Sequence, residues 1–84
     1  MQEEKNEKQV QIIINARPFS VKRGKLSFQE VVRLYYGTFD ENPNVVYTVS
    51  YKRNIHTPSI SMVLGDDVQV IEEMMFSVSK TDKS

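Results

Sequence analysis

One amphipathic segment, LSFQEVVRLYYG at residues 26–37, most constrains the fold, because it carries the clearest helix signal in the chain. Ser27 and Glu30 have the spacing of a capping box, in which each side chain binds the backbone N–H of the other residue. Apolar residues recur at helical spacing and form one stripe, and Gly37 stands where a left-handed C-terminal cap belongs. We therefore predict a helix of about three turns with one face turned to a core.

Alternating apolar residues on both sides of this helix predict short β-strands. The run QVQIIIN is apolar on both faces, which favours a central strand. A tight turn at NARP, with Asn15 and Pro18 as the turn residues, joins it to a second strand, FSVKR, in an antiparallel hairpin. Beyond the helix, the sequence predicts a strand over residues 45–51, short extended pieces at ISMVL and VQVI, and a final strand that begins near Met74.

This order of elements indicates a single α+β domain. One amphipathic helix covers one face of one sheet, and 84 residues leave no material for a second covering layer. A hairpin, a helix and short strands whose last member returns beside the first describe the β-grasp arrangement, with the strands in a single mixed sheet. The predicted core consists of Val10, Ile12, Ile14, Phe19, Val21, Val31, Val32, Tyr35, Phe76 and Val78.

The two ends of the chain contain few apolar residues. Residues 1–8 are predicted to form a disordered polar N-terminal tail, residues 9–80 the domain, and residues 81–84 a flexible C-terminal tail. No apolar run approaches the roughly 20 residues needed to cross a bilayer, and the polar N-terminus is unlike a signal peptide. A cytoplasmic protein without a membrane partner is therefore expected.

The balance of charges and the absence of certain residue types argue against nucleic-acid binding, metal binding and catalysis. Eleven basic and eleven acidic residues cancel, so the positive surplus typical of nucleic-acid-binding proteins is absent. Cysteine is absent, and His56 is the only histidine, which leaves no set of zinc ligands. The adjacent carboxylates of residues 66–67 and 72–73 point apart in a strand or turn. We therefore predict no enzymatic activity, no cofactor and no metal site.

The sheet face that points away from the helix is the remaining candidate for a binding site. Strand alternation places Ile13, Val46 and Met75 on that face among polar residues. A few apolar residues in a polar field are either ordinary surface or the centre of a protein-binding patch, and both interpretations stay open. These three residues form the predicted partner-binding patch.

Four segments, VQIIINARPFSV, LSFQEVVRLYYG, VVYTVSYKR and GDDVQVIEEMMFSVSKTDKS, together resemble the bacterial multiubiquitin family. The resemblance covers nearly all of residues 9–84. It implies a ubiquitin-like β-grasp protein modifier. It also implies partnership with bacterial relatives of ubiquitin-activating enzymes, conjugating enzymes and deubiquitinating peptidases, in systems linked to phage defence. The target protein is not indicated.

The same resemblance makes the C-terminal tail the reactive element. Ubiquitin-like modifiers react through a C-terminal carboxylate, which is adenylated and then transferred to a thiol. The resemblance thus implies a conjugation tail formed by Thr81, Asp82, Lys83 and Ser84. The reacting residue in such proteins is usually glycine, whereas the glycines here stand only at positions 24, 37 and 65. That departure favours an alternative, a non-conjugated β-grasp protein-interaction module.

Overall fold

The computed structural model describes residues 8–82 as one helix and seven strands. The elements are β1 (Gln9–Ile14), β2 (Arg17–Lys22), β3 (Lys25–Ser27), α1 (Phe28–Tyr36), β4 (Val45–Lys52), β5 (Ile60–Met62), β6 (Asp67–Gln69) and β7 (Met75–Asp82). Five strands form a mixed sheet in the order β2-β1-β7-β4-β5, and β3 pairs with β6 in a small second sheet. The predicted β-grasp fold is confirmed, with this second sheet as an addition to it.

Helix α1 begins and ends at the residues that its caps predict. The Ser27 Oγ accepts a hydrogen bond from the Glu30 N–H at 3.1 Å, and the Glu30 Oε1 accepts one from the Ser27 N–H at 2.8 Å. Gly37 adopts a left-handed conformation with φ 86°, and its N–H donates to the Arg33 carbonyl at 2.8 Å. The side of α1 that faces the sheet carries the buried residues Phe28, Val31 and Val32.

The hairpin turn differs from the predicted one in the position of proline. Asn15 and Ala16 form a two-residue turn with positive φ values of 51° and 69°, the conformation of a type I′ hairpin turn. Pro18 lies inside β2, opposite Ile13, rather than in the turn. Strand β2 accommodates proline because it is an edge strand, where a missing N–H removes no ladder hydrogen bond.

The centre of the sheet is formed by β1 and β7, which run parallel. Their register ends at Ile14 opposite Phe76, and the Asn15 N–H donates to the Phe76 carbonyl at 3.0 Å. The Asn15 side chain then forms hydrogen bonds with both backbone groups of Val78. Its Nδ2 donates to the Val78 carbonyl at 2.9 Å, and its Oδ1 accepts from the Val78 N–H at 3.0 Å. One side chain therefore substitutes for a further strand residue beside β7.

The core lies between α1 and the inner face of the sheet. Of the predicted core residues, those that are buried are Ile12, Ile14, Val21, Val31, Val32, Phe76 and Val78. Val10, Phe19 and Tyr35 are partly buried against them. The structure adds to the core Leu26, Phe28, Tyr47, Val49, Met62, Val68, Val70 and Met74. Leu26 and Val68 pair across the small β3–β6 sheet, which extends the core beyond the main sheet.

Strand β1 begins at Gln9, the residue at which the domain is predicted to begin. Lys8, which the sequence places in a disordered tail, accepts a hydrogen bond on its carbonyl from the Arg23 N–H at 3.0 Å. This bond extends the β1–β2 ladder by one residue. The remainder of the predicted N-terminal tail, residues 1–7, lies outside the described residues.

Candidate protein-interaction surfaces

The face of the main sheet opposite α1 is mostly polar. Alternate residues of each strand point to this face, and their neighbours point into the core. The hydroxyl-bearing members of the face are Ser20, Thr48, Ser50, Ser61, Ser77, Ser79 and Thr81. A shallow groove of about 260 Å³ crosses its centre and is lined by several of these hydroxyls and by Asn15. The apolar residues of the predicted patch lie at the margins of this polar area.

The structure brings together two of the three predicted patch residues. Ile13 of β1 and Met75 of β7 are register partners, and both are half-buried. Val46 lies on the same face, but it pairs with Thr81, whereas Met75 pairs with Lys52. Six residues along a strand separate these pairs, a distance of about 20 Å. The predicted patch therefore divides into an Ile13–Met75 pair and a separate Val46, because alternation defines the face of a residue but not its register.

The predicted conjugation tail is partly a strand. Thr81 and Asp82 are the last residues of β7 and pair with Val46 and Val45 of β4. They are therefore strand residues rather than parts of a flexible tail, because β4 begins at Val45 and supplies backbone partners that need no apolar side chain. The other two predicted tail residues, Lys83 and Ser84, lie outside the described residues.

An apolar groove that the sequence did not predict lies beside the start of β4, the strand that pairs with this end of β7. Its volume is about 300 Å³, and its lining includes Phe39, Val45, Val46, Val63 and Leu64. Val63 and Leu64 are 63% and 61% exposed, which makes them the most exposed apolar side chains of this lining. The apolar run ISMVL before Gly65 is the sequence signal for this groove, and its pattern predicts an extended piece. Strand β5 instead ends at Met62, and the two residues that follow it stay at the surface.

His56, Asp66 and Glu72 each take part in a hydrogen bond that involves a backbone N–H. The His56 N–H donates to the Asn54 Oδ1 at 2.7 Å, the Asp66 Oδ2 accepts from the Val63 N–H at 3.0 Å, and the Glu72 Oε1 accepts from the Gln11 N–H at 3.2 Å. In the described part of the chain, no group of three or more His, Cys, Asp or Glu residues could hold a metal ion. No helix within residues 8–82 is long and apolar enough to cross a membrane.

Comparison with known proteins gives one match. The model of the multiubiquitin family matches residues 10–82. No curated protein and no solved structure matches the chain significantly. The match begins within β1 and ends at the last residue of β7, so it spans every strand and the helix described above. The chain therefore belongs to the multiubiquitin family, whose members are ubiquitin-like domains.

Proposed function

We propose that this chain is a bacterial ubiquitin-like protein modifier that acts in the cytoplasm. The single observation that carries the proposal is the multiubiquitin match over residues 10–82, which includes all of β7. We further propose that relatives of ubiquitin-activating and conjugating enzymes attach the modifier, that deubiquitinating peptidases remove it, and that the system serves phage defence. These partners follow from the family resemblance and identify the enzymes to be tested.

The proposed chemistry uses a C-terminal carboxylate. The carboxylate attacks the α-phosphorus of ATP, and the bond to pyrophosphate breaks, so that an acyl-adenylate forms. An enzyme thiolate then attacks the acyl carbon and displaces AMP. An amine of the target finally displaces the thiol, which takes up the proton released by the amine. The net result is one new amide bond between modifier and target.

The direct test of this proposal is a conjugation assay with the cognate enzymes and ATP. We expect a covalent adduct whose mass equals the chain plus its acceptor less one water, as measured by intact-mass spectrometry. Deletion of residues 81–84 is expected to abolish the adduct. Because this deletion also removes two β4–β7 residue pairs, it should lower stability by about 1 kcal/mol, so folding is checked by circular dichroism.

A full-length variant controls for that deletion. Thr81→Ala together with Asp82→Ala keeps the chain length and the backbone pairing with β4, so this variant should still form the adduct. If the full-length chain gives no ATP-dependent adduct with enzymes that are active on their own substrates, the modifier proposal is overturned in favour of the non-covalent module.

The Ile13–Met75 pair is the proposed contact for an activating-enzyme relative. Ile13→Lys should leave the fold intact, because the half-buried side chain points away from the core and lysine can extend its charge to solvent. In the complex, however, the same charge would be desolvated, so the Kd should rise by about tenfold or more. Gln11→Lys, on the same face two residues earlier, is the matched control for added charge. Unchanged affinity of the Ile13→Lys protein would show that the enzyme contacts another surface.

One observation favours a second function, that of a non-conjugated interaction module. Thr81 and Asp82 are held in β7 by pairing with β4. Residues in a strand enter an enzyme channel only after their ladder hydrogen bonds break, which opposes the use of these two residues as a tail. As a non-conjugated module, the chain would contact its partner through the groove that the exposed Val63 and Leu64 line, rather than through a carboxylate.

A further inference from the structure

Two neighbouring cavities form one continuous surface beside the start of β4. The apolar groove described above, of about 300 Å³, shares the side chains of Phe39, Val45 and Leu64 with a second cavity of about 420 Å³. The second cavity is lined in addition by Asp40 and Glu41 of the loop between α1 and β4. A bound segment that crosses the three shared residues would therefore pass from an apolar end to an acidic end.

The apolar end of this surface is held in place by a hydrogen-bonded turn. The Val63 carbonyl accepts a hydrogen bond from the Asp66 N–H at 2.9 Å, and the Val63 N–H donates to the Asp66 Oδ2 at 3.0 Å. These two bonds close the turn that presents Leu64 to solvent. An apolar side chain that is already fixed at the surface loses little conformational entropy on binding, so this end is suited to contact with a partner.

The acidic end is held in place by aromatic packing and by the loop's own hydrogen bonds. The Phe39 ring stacks on Tyr47 with the ring centroids 5.0 Å apart, and it meets the edge of Phe28 at 6.4 Å. The Tyr47 Oη accepts a hydrogen bond from the Asp40 N–H at 2.9 Å, and the Asp40 Oδ1 accepts one from the Asn42 N–H at 2.9 Å. The fold therefore fixes the Asp40 carboxylate beside the apolar floor.

The charge of this surface is negative, although the whole chain is neutral. Asp40 and Glu41 line it, and none of the described residues that line either cavity is basic. The exposed Glu41 carboxylate forms no hydrogen bond or ion pair within residues 8–82. Asp66, bonded to the Val63 N–H, adds a third negative charge beside the apolar end. The surface is therefore complementary to a positively charged ligand.

This combination of negative charge and apolar floor selects one class of partner. It repels nucleic-acid phosphates and anionic lipid head groups. A lysine or arginine side chain matches both parts of the surface, because its aliphatic stem packs on apolar residues while its charge stays near the carboxylates. An arginine also gains by stacking on the ring of Phe39.

We propose that this surface binds a segment of another protein in which aliphatic residues are followed by lysine or arginine. The aliphatic residues contact Val63 and Leu64. The stem of the basic residue lies across Phe39, and its charge lies near Asp40 and Glu41. The inference rests on the second proposed function, that of an interaction module, because it names the partner class for the groove which that function uses. Binding requires neither ATP nor a conjugating enzyme.

The test is an NMR titration of the full ¹⁵N-labelled chain with two synthetic peptides. One contains three valines followed by three lysines, and the other has glutamates in place of the lysines. The basic peptide is expected to shift the amide signals of Phe39, Glu41 and Leu64. The acidic peptide is expected to bind at least about threefold more weakly, because the carboxylates of the surface repel it.

A charge-reversal variant tests the acidic end. Glu41→Lys should weaken binding of the basic peptide by about threefold to tenfold and strengthen binding of the acidic peptide. Glu73→Lys is the matched control, because it makes the same charge change just before β7 begins, whereas the surface lies beside the Val45–Asp82 pair at the other end of that strand. The control should change neither affinity.

A truncation tests the apolar end. Leu64→Ala should weaken both peptides by about threefold or more and leave the fold intact, because the side chain is exposed. Ile55→Ala, in the loop between β4 and β5, removes a similarly exposed aliphatic side chain and should change neither affinity.

The outcomes separate this inference from the function on which it rests. If both peptides shift the Phe39, Glu41 and Leu64 signals with equal affinity, the charge requirement is wrong, whereas the interaction module keeps its groove. If neither peptide shifts them, the inference is overturned and the module loses this groove as well. Shifts that depend on protein concentration alone would identify a second copy as the occupant and would also overturn the inference. The conjugation assay is independent of all these outcomes.

Discussion

Phe76→Ala is expected to lower the free energy of unfolding by about 3–5 kcal/mol. The ring is only 3% exposed, lies in the central strand β7 and packs against Tyr51 with the ring centroids 6.1 Å apart. Truncation leaves a cavity that neighbouring strands cannot close without breaking their pairing. A domain of this length has a total stability of about 4–12 kcal/mol, so the variant should be partly unfolded or close to it. Urea denaturation followed by circular dichroism measures the change.

Ser77→Ala is the matched control for this prediction. Ser77 is the next residue of β7, is exposed and points to the opposite face of the sheet. Its substitution should change the free energy of unfolding by no more than about 0.5 kcal/mol. A Phe76→Ala protein that unfolds at the same urea concentration as the Ser77→Ala protein would contradict the core position of Phe76.

Asn15→Ala is expected to cost about 2–3 kcal/mol. The substitution removes the two hydrogen bonds that the side chain makes with the part-buried backbone of Val78 and leaves that N–H and carbonyl without them. It also places alanine at a φ of 51°, which disfavours a side chain that cannot bond locally. Thermal and urea unfolding report the sum of both effects.

Asn15→Gly separates these two effects. Glycine adopts the positive φ without strain but makes no side-chain hydrogen bond, so this variant should be more stable than Asn15→Ala by about 1 kcal/mol and still less stable than the parent. If Asn15→Gly is as stable as the parent protein, the side-chain bonds to Val78 contribute nothing and the prediction is wrong.

The helix could be predicted fully from the sequence because its signals are local. Ser27, Glu30 and Gly37 act within a few residues of each other, so their roles need no knowledge of the tertiary structure. The small β3–β6 sheet could not be predicted, because three-residue strands show no usable periodicity. Its pairing depends on the contact between Leu26 and Val68, which are far apart in the chain.

For the candidate surfaces, the sequence could predict which residues share a face of the sheet but not which of them lie close together. Alternation assigned Ile13, Val46 and Met75 to one side of the sheet, but the proximity of Ile13 to Met75 depends on the parallel β1–β7 register. Thr81 and Asp82 carry no apolar signal, and their strand conformation comes from β4. The groove that Val63 and Leu64 line depends on the position at which β5 ends, which local sequence does not encode.

The position of β7 between β1 and β4 has a consequence for biosynthesis. The pairs Ile13–Met75 and Ile14–Phe76 join residues 62 positions apart, and such long-range closure slows folding relative to helical domains of similar size. The ribosome must release residues 75–82 before β1 and β4 acquire the strand that connects them. Until then the nascent chain exposes the apolar side chains of Ile12 and Ile14, so chaperone binding or aggregation competes with folding until translation passes β7.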